Sequence, residues 1–210
     1  METKEKIGIF GGAFNPITKG HIEICKYVLD QKIVDRVYLT PCYQHMYNKD
    51  MVDPVHRLKM CEIAAKVDGR ICVFDYEIAN KLKGSTYNFV KRLQDEEFAK
   101  HDIDFSLIIG LDNANTFDKW VDSELLEKMI RFVVVPRKGI ERDEKVNWYL
   151  KTPHIYLSPD NDIPETSSTD ARELLSHLWV AASLIQENPL TQIIDQNVLN
   201  YIMENKLYNT

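Results

Sequence analysis

The chain lacks the features that would place it in most non-globular classes. No apolar run approaches the roughly 20 residues needed to span a bilayer, so a membrane-embedded protein is not expected. Positive charge is not in excess. Lys and Arg total 26 against 32 Asp and Glu, the formal net charge is −6, and a broad basic field for nucleic acid is therefore absent. A local cluster of donors can still hold an anionic small molecule inside an acidic protein. Cysteine is limited to Cys25, Cys42, Cys61 and Cys72, with no C-x-x-C pair and no metal spacing, so reduced structural thiols are expected. No His/Asp cluster has zinc spacing. The stretch Met1–Lys6 runs directly into an apolar strand without the long apolar region of a signal peptide, and the cytoplasm is the expected compartment. No Ser/Gly linker or composition break divides the chain, and nothing in it argues for disorder or a repeat array.

What is present is ordinary for a packed globular protein: 44% hydrophobic and 28% charged residues over 210 positions, enough for one large domain. Short β-branched runs alternate with helical patterns. Strands are predicted at 7–10, 36–40, 71–74, 105–109, 132–135 and 154–157. Helices are predicted at 20–30, 54–67, 86–100 and 123–129, with a helical remainder from about 168. Pro54 sits at a favourable first-turn position. Strands that are apolar throughout and separated by helices indicate a parallel sheet covered on both faces, an α/β Rossmann-like doubly wound fold with C-terminal helices packed back on it in a single domain over 1–210. In such sheets ligands bind beyond the carboxyl ends of the strands, so the loops there are where chemistry is expected.

The first strand is followed by Gly11-Gly12-Ala13-Phe14-Asn15-Pro16-Ile17-Thr18-Lys19-Gly20-His21. Two glycines at a strand end permit a tight turn and close approach of a ligand to the backbone. Asn15-Pro16 sets an extended turn. Thr18 can cap the next helix, whose first N–H groups form an anion site, and His21 lies one turn beyond it, so both can point at one phosphate. The spacing is neither that of a P-loop nor G-x-G-x-x-G. Near the C-terminus, Thr166-Ser167-Ser168-Thr169-Asp170-Ala171-Arg172 precedes an apolar helix. Its hydroxyls can cap that helix or hold phosphate, and Arg172 brings a planar fork suited to phosphate. Taken singly, each segment also reads as a glycine turn or an ordinary helix cap.

Together they resemble the two signatures of the nucleotidyltransferase superfamily: a Gly-rich turn followed by [H/T]-x-G-H, here Thr18-Lys19-Gly20-His21, and I-S-S-T-x-I-R, here with Thr166 and Ala171 in place of the isoleucines. Gly110-Leu111-Asp112, followed by Trp120, looks like the G-x-D…W segment of bacterial nicotinate-nucleotide adenylyltransferases. Leu125-Leu126, Arg137-Lys138-Gly139 and the tail Val198-x-x-Tyr201-Ile202-x-x-Asn205-x-Leu207-Tyr208 follow the same order, and the resemblance covers almost the whole chain. It implies transfer of AMP from ATP to a pyridine mononucleotide with release of pyrophosphate, with His21, Thr18 and Arg172 as the catalytic group. It also implies ATP contacts from Gly11, Gly12, Phe14, Gly20, His21, Gly110, Asp112, Ser167, Ser168, Thr169 and Arg172, and Mg²⁺ arriving with ATP. His45, Lys49, Thr86, Tyr87, Asn88, Trp120 and Arg137 are the expected contacts to the mononucleotide.

Two stretches depart from the pattern. The family often has Pro-His-Lys or Pro-His-Arg after its second strand. Here His45 is followed by Met46, and Lys49 is either the replacement for that charge or a loop lysine. The family's S-Y-T stretch is Thr86-Tyr87-Asn88, which leaves the choice between nicotinate and nicotinamide open. A regulatory module that binds dinucleotide without catalysis, and a transferase for another acceptor such as phosphopantetheine, are the rival readings. The first would not need both His21 and Arg172, and the second would not need Trp120 and the tail. His56-Arg57 is expected at a helix start, solvated or ligand-binding. His101, His154 and His177 match nothing and are expected in surface or packing roles. The acidic residues of the helix predicted at 86–100 are expected on a solvated face.

Overall fold

The computed structural model describes residues 4–44, 50–98, 103–157, 163, 166–180 and 189–209. Six strands form one sheet: β1 (Glu5–Gly12), β2 (Arg36–Pro41), β3 (Ile71–Val73), β4 (Ile103–Gly110), β5 (Arg131–Val135) and β6 (Ile155–Tyr156). Their order is β3-β2-β1-β4-β5-β6, and every pairing is parallel. Successive side chains of a strand point to opposite faces. Thus Ile108, Val133 and Val135 enter one core, while Leu107, Ile109, Phe132 and Val134 enter the other. Two buried faces explain why these strands read as continuous apolar runs rather than alternating ones.

The first core is covered by α1 (Lys19–Asp30) and α2 (Pro54–Ala65), and by α7 (Ser168–Val180), α8 (Leu190–Ile193) and α9 (Gln196–Glu204). Leu175, Ile194, Val198 and Ile202 are wholly buried there, so the C-terminal helices share the core of α1 and α2. Each such side chain contributes about 1.5–3 kcal/mol. Helix α2 starts at Pro54, after the Asp53 carboxylate accepts from the Val55 N–H at 2.9 Å. Asp195 caps α9 in the same way. The second core is covered by α4 (Thr86–Leu93), α5 (Leu111–Asn115) and α6 (Ser123–Met129).

The predicted strands agree with the observed ones to within about two residues at most ends. The long helix expected over 86–100 differs: α4 ends at Leu93 and continues as a π-helical turn, Gln94–Phe98. Its acidic face is also not merely solvated, since Glu96 accepts from the Tyr76 hydroxyl and pairs with Arg92 at 2.7 Å. Two short helices, α3 (Tyr76–Ala79) and α5, were not expected, because four or five residues are too few to show a helical period. Among the described residues no helix is long and apolar enough to cross a membrane. The four cysteines are free, with Cys25 and Cys61 buried.

Candidate active site

In this strand order the chain leaves β1 toward one side of the sheet and β4 toward the other. A crevice opens where the direction switches, at the carboxyl ends of these two strands. A cleft of about 340 Å³ lies there, lined by Gly11, Gly12 and Gly110 at the strand ends and by Glu77, Thr86 and Trp120 farther out. At Gly11 a Cβ would find no neighbour nearer than 4.0 Å, so the protein's own packing does not demand glycine. The missing side chain leaves room for something to approach the backbone.

The loop after β1 is organised around Thr18 and His21. Thr18 precedes α1 in extended conformation, and its N–H donates to His21 Nδ1 at 3.0 Å. The Thr18 hydroxyl lies 2.7 Å from the same nitrogen. A backbone N–H can only donate, so Nδ1 is unprotonated and the ring proton is on Nε2. The ring packs edge-on against Phe14, with centroids 5.2 Å apart. Burial, and then the Arg137 guanidinium, lower the pKa of His21 to about 3. His21 is therefore a neutral N–H donor at working pH.

The loop before α7 is tied to this one through Thr166, Ser168 and Arg172, by bonds between residues 146 to 157 positions apart. The Thr166 hydroxyl accepts from the Gly20 N–H at 2.9 Å and donates to Thr18 Oγ1 at 3.2 Å. Ser168 Oγ donates to the Pro16 carbonyl at 2.8 Å. Arg172 Nη1 donates to the Asn15 and Ser168 carbonyls at 2.8 and 3.0 Å, and Nη2 donates to Thr169 Oγ1 at 3.1 Å. Ser167 Oγ accepts from the Asp170 N–H. Thr166, which departs from the superfamily's isoleucine, thus makes a buried polar link, and Ala171 fills the core with no exposure.

At the end of β4, Asp112 sits in the first turn of α5. Its Oδ1 is buried and has no hydrogen-bond partner among the described residues, and Arg137 Nη1 lies 4.0 Å away. An unpaired buried carboxylate oxygen is costly, and a ligand hydroxyl would satisfy it. A Cβ on Gly110 would collide with that oxygen and come within 3.3 Å of Arg137 Cδ. We expect Gly110→Ala to turn the Asp112 carboxylate aside and to raise the Michaelis constant for the nucleotide about ten-fold, the scale of one charge-assisted hydrogen bond. Its melting temperature should stay near that of the parent, since only a side-chain end must move. Unchanged nucleotide affinity in a folded G110A protein would remove Asp112 from the site.

Known proteins share this frame. The model of the cytidylyltransferase-like family matches residues 9–174. The chain belongs to that family. A Lactococcus lactis subsp. lactis (strain IL1403) protein named as a probable nicotinate-nucleotide adenylyltransferase is 31% identical over 98% of this chain and 96% of its own. A namesake from Streptococcus pneumoniae serotype 4 (strain ATCC BAA-334 / TIGR4) is 31% identical over 99% of this chain and 92% of its own. The structure of the Plasmodium falciparum nicotinic acid mononucleotide adenylyltransferase complexed with NaAD has the same fold, with a TM-score of 0.79, 21% identity and 98% of both chains covered.

Within this cytidylyltransferase-like chain, the expected site residues take several different parts. His21, Thr18, Arg172, Ser168 and Thr169 converge at the two joined loops. Gly20 is there too, but its N–H is engaged by Thr166 and not held out for phosphate. Phe14 is 2% exposed with φ +45°, and its ring backs His21 rather than facing the cleft. Of the stretch 86–88, Thr86 lines the cleft, Tyr87 packs against the second core, and Asn88 is exposed with its N–H bonded to Ser85 Oγ at 3.3 Å. Asn88 is not among the residues that line the cleft, but its side-chain nitrogen stands beside Gly84, which is. His45 and Lys49 lie outside the described residues.

Arg57 is not a solvated helix start. It is wholly buried and donates to the Val52, Ala13 and Tyr43 carbonyls at 2.9, 2.8 and 3.1 Å, bracing the loops after β1 and β2. His56 is bonded to the Tyr201 hydroxyl at 2.7 Å. His154 packs among Phe132 and Trp148, as a packing residue should, and His177 is exposed. Glu77 was missed altogether. It lines the cleft from α3, and burial pushes its carboxyl up to about 7 against the opposing pull of the Tyr43 N–H and the Arg57 guanidinium. The available signal was its place just beyond the carboxyl end of β3, where this fold puts its chemistry.

Proposed function

We propose that the chain transfers AMP from ATP to nicotinate mononucleotide, yielding the corresponding dinucleotide and pyrophosphate. The observation that carries this reading is the cleft at the switch point, lined by Gly11, Gly12, Thr86 and Trp120, together with the hydrogen bonds that join the loop running on from Gly12 to the loop before α7. An oxygen of the mononucleotide 5′-phosphate attacks the α-phosphorus of ATP in line. The new P–O bond forms as the bond from that phosphorus to the β-bridging oxygen breaks, and pyrophosphate leaves with the electron pair. The attacking phosphate is already anionic near neutral pH, so no general base is needed. Catalysis then rests on positioning and charge stabilisation.

In this reading, the Gly11–Gly12 backbone and His21 Nε2–H stabilise the α-phosphate. Ser167, Ser168, Thr169 and Arg172 hold the departing pyrophosphate, Asp112 accepts from the ribose hydroxyls, Arg137 adds charge between them, and Trp120 stacks on the pyridine ring. Among the described residues no group of three or more His, Cys, Asp or Glu could hold a metal ion. The donors are N–H, hydroxyl and guanidinium groups, which suit phosphate. Mg²⁺ belongs with ATP as part of the substrate, where it neutralises phosphate charge. The compartment we assign is the cytoplasm, the chain acting as one domain.

Incubating the protein with ATP and each candidate acceptor, and reading pyrophosphate, tests the reaction. Turnover with phosphopantetheine and none with either pyridine mononucleotide would overturn it. For the acceptor we expect a modest preference for the acid over the amide. The Thr86 and Tyr87 N–H groups open α4 and have no intrahelical acceptor, which suits a carboxylate. Glu77 lines the same cleft, and below about pH 7 it is mostly protonated and does not repel that carboxylate. Above that pH it ionises, repels the acid and can accept from the amide NH₂. The ratio of specificity constants, acid over amide, should therefore fall between pH 6 and pH 8. A preference for the amide at pH 6 would reverse the assignment.

A further inference from the structure

The turn that follows α9 reaches back to the loop after β1. After α9, Leu207 N–H donates to the Ile202 carbonyl at 3.0 Å, and Lys206 and Tyr208 take left-handed backbone conformations, φ +52° and +61°. Such a φ is uncommon for a bulky residue and is held by its surroundings. It turns the Tyr208 ring inward, where the hydroxyl donates to Asn15 Oδ1 at 2.9 Å. The same oxygen accepts the Val52 N–H at 3.2 Å, and Asn15 is 5% exposed. The Asn15 carbonyl is the one that accepts from Arg172. Asn15 thus joins three separate parts of the chain, and it lies between Gly12 and Thr18, inside the loop that sets the position of His21.

We propose that Tyr208 is a positioning residue for the ATP site, its hydroxyl fixing the Asn15–Pro16 turn so that His21 and Arg172 stand in register on the nucleotide. This rests on the adenylyltransferase reading above. Burial pushes the Tyr208 hydroxyl well above the usual phenol range, despite Arg172 and Arg57 nearby, so it remains a donor at any working pH. The ring contributes packing. The hydroxyl's specific contribution is the bond to Asn15.

The test uses the full chain, with the parent's pyrophosphate release measured first. A parent without activity would sink the functional reading and leave the Tyr208 bond standing as geometry to be read by ATP binding alone. With an active parent, Tyr208→Phe should raise the Michaelis constant for ATP about three- to ten-fold, the range of one hydrogen bond. The constant for the mononucleotide should change less than two-fold. On an Asn15→Ala background, the same substitution should add nothing further for ATP, because the path through Asn15 is already cut. For an inactive parent, ATP titration of parent and Y208F by calorimetry reads the same affinity ratio. A lower melting temperature with unchanged ATP affinity would overturn the proposal, as would equal effects on both substrates, or additive effects in the double variant.

Discussion

Replacing His21 by alanine is expected to lower turnover by roughly 10²–10³, the usual loss when one preorganised donor to developing charge is removed. The argument rests on the tautomer. Thr18 N–H and the Thr18 hydroxyl both address Nδ1, which leaves the proton on Nε2 and fixes the ring before any substrate arrives. With its pKa lowered to about 3, the free enzyme does not gain or lose a proton at His21 between pH 6 and 9. The profile of kcat/KM for ATP should therefore show no limb from this residue in that range. The stability consequence has the opposite window. The unfolded chain binds a proton at His21 below about 6.5 while the folded chain does so only near 3, so this residue lowers stability as the pH falls through that interval. His21→Ala should flatten that part of the acid unfolding curve. Turnover within a few-fold of the parent would exclude His21 from the mechanism.

The sheet was legible because its signal is redundant. The central strands are apolar on both faces, and β1 and β2 are each followed by a twelve-residue helix, long enough to show its period. Residues near strand ends could be singled out because the fold itself sends chemistry there, which holds for Gly11, Gly12, Gly110 and Asp112. Residues whose part depends on a distant partner were not legible. Nothing in the local sequence says that Thr166 meets Gly20 or that Tyr208 meets Asn15, since these contacts join positions 146 and 193 apart. Arg57 read as solvated or ligand-binding because Pro54 marks a helix start there, yet three carbonyls from two loops turn inward to receive its fork. Asn88 read as a cleft residue because it stands where a motif threonine is expected. The Ser85 cap takes its N–H, and the exposed Asn88 side chain stands beside Gly84.

Arg172→Ala should raise the Michaelis constant for ATP by about 10- to 150-fold, corresponding to roughly 1.5–3 kcal/mol for a charge-assisted contact. The constant for the mononucleotide should move far less, because the acceptor has no β- or γ-phosphate. Beside the proposed phosphate contact, the structure shows this arginine bracing its own loops. Nη1 already bridges the Asn15 and Ser168 carbonyls, so the guanidinium is locked in place by the loop it faces before ATP binds. That arrangement separates charge from geometry. Arg172→Lys keeps the positive charge, but a single ammonium cannot hold two carbonyls and the Thr169 hydroxyl while also meeting phosphate. The lysine variant should therefore recover only part of the lost ATP affinity, and its kcat should stay below that of the parent because the Asn15 turn is loosened. Steady-state kinetics with each substrate varied in turn decides the matter. Equal rises in both Michaelis constants would show that Arg172 supports the loops alone, and full recovery by lysine would show that charge, without the fork, is all the site requires.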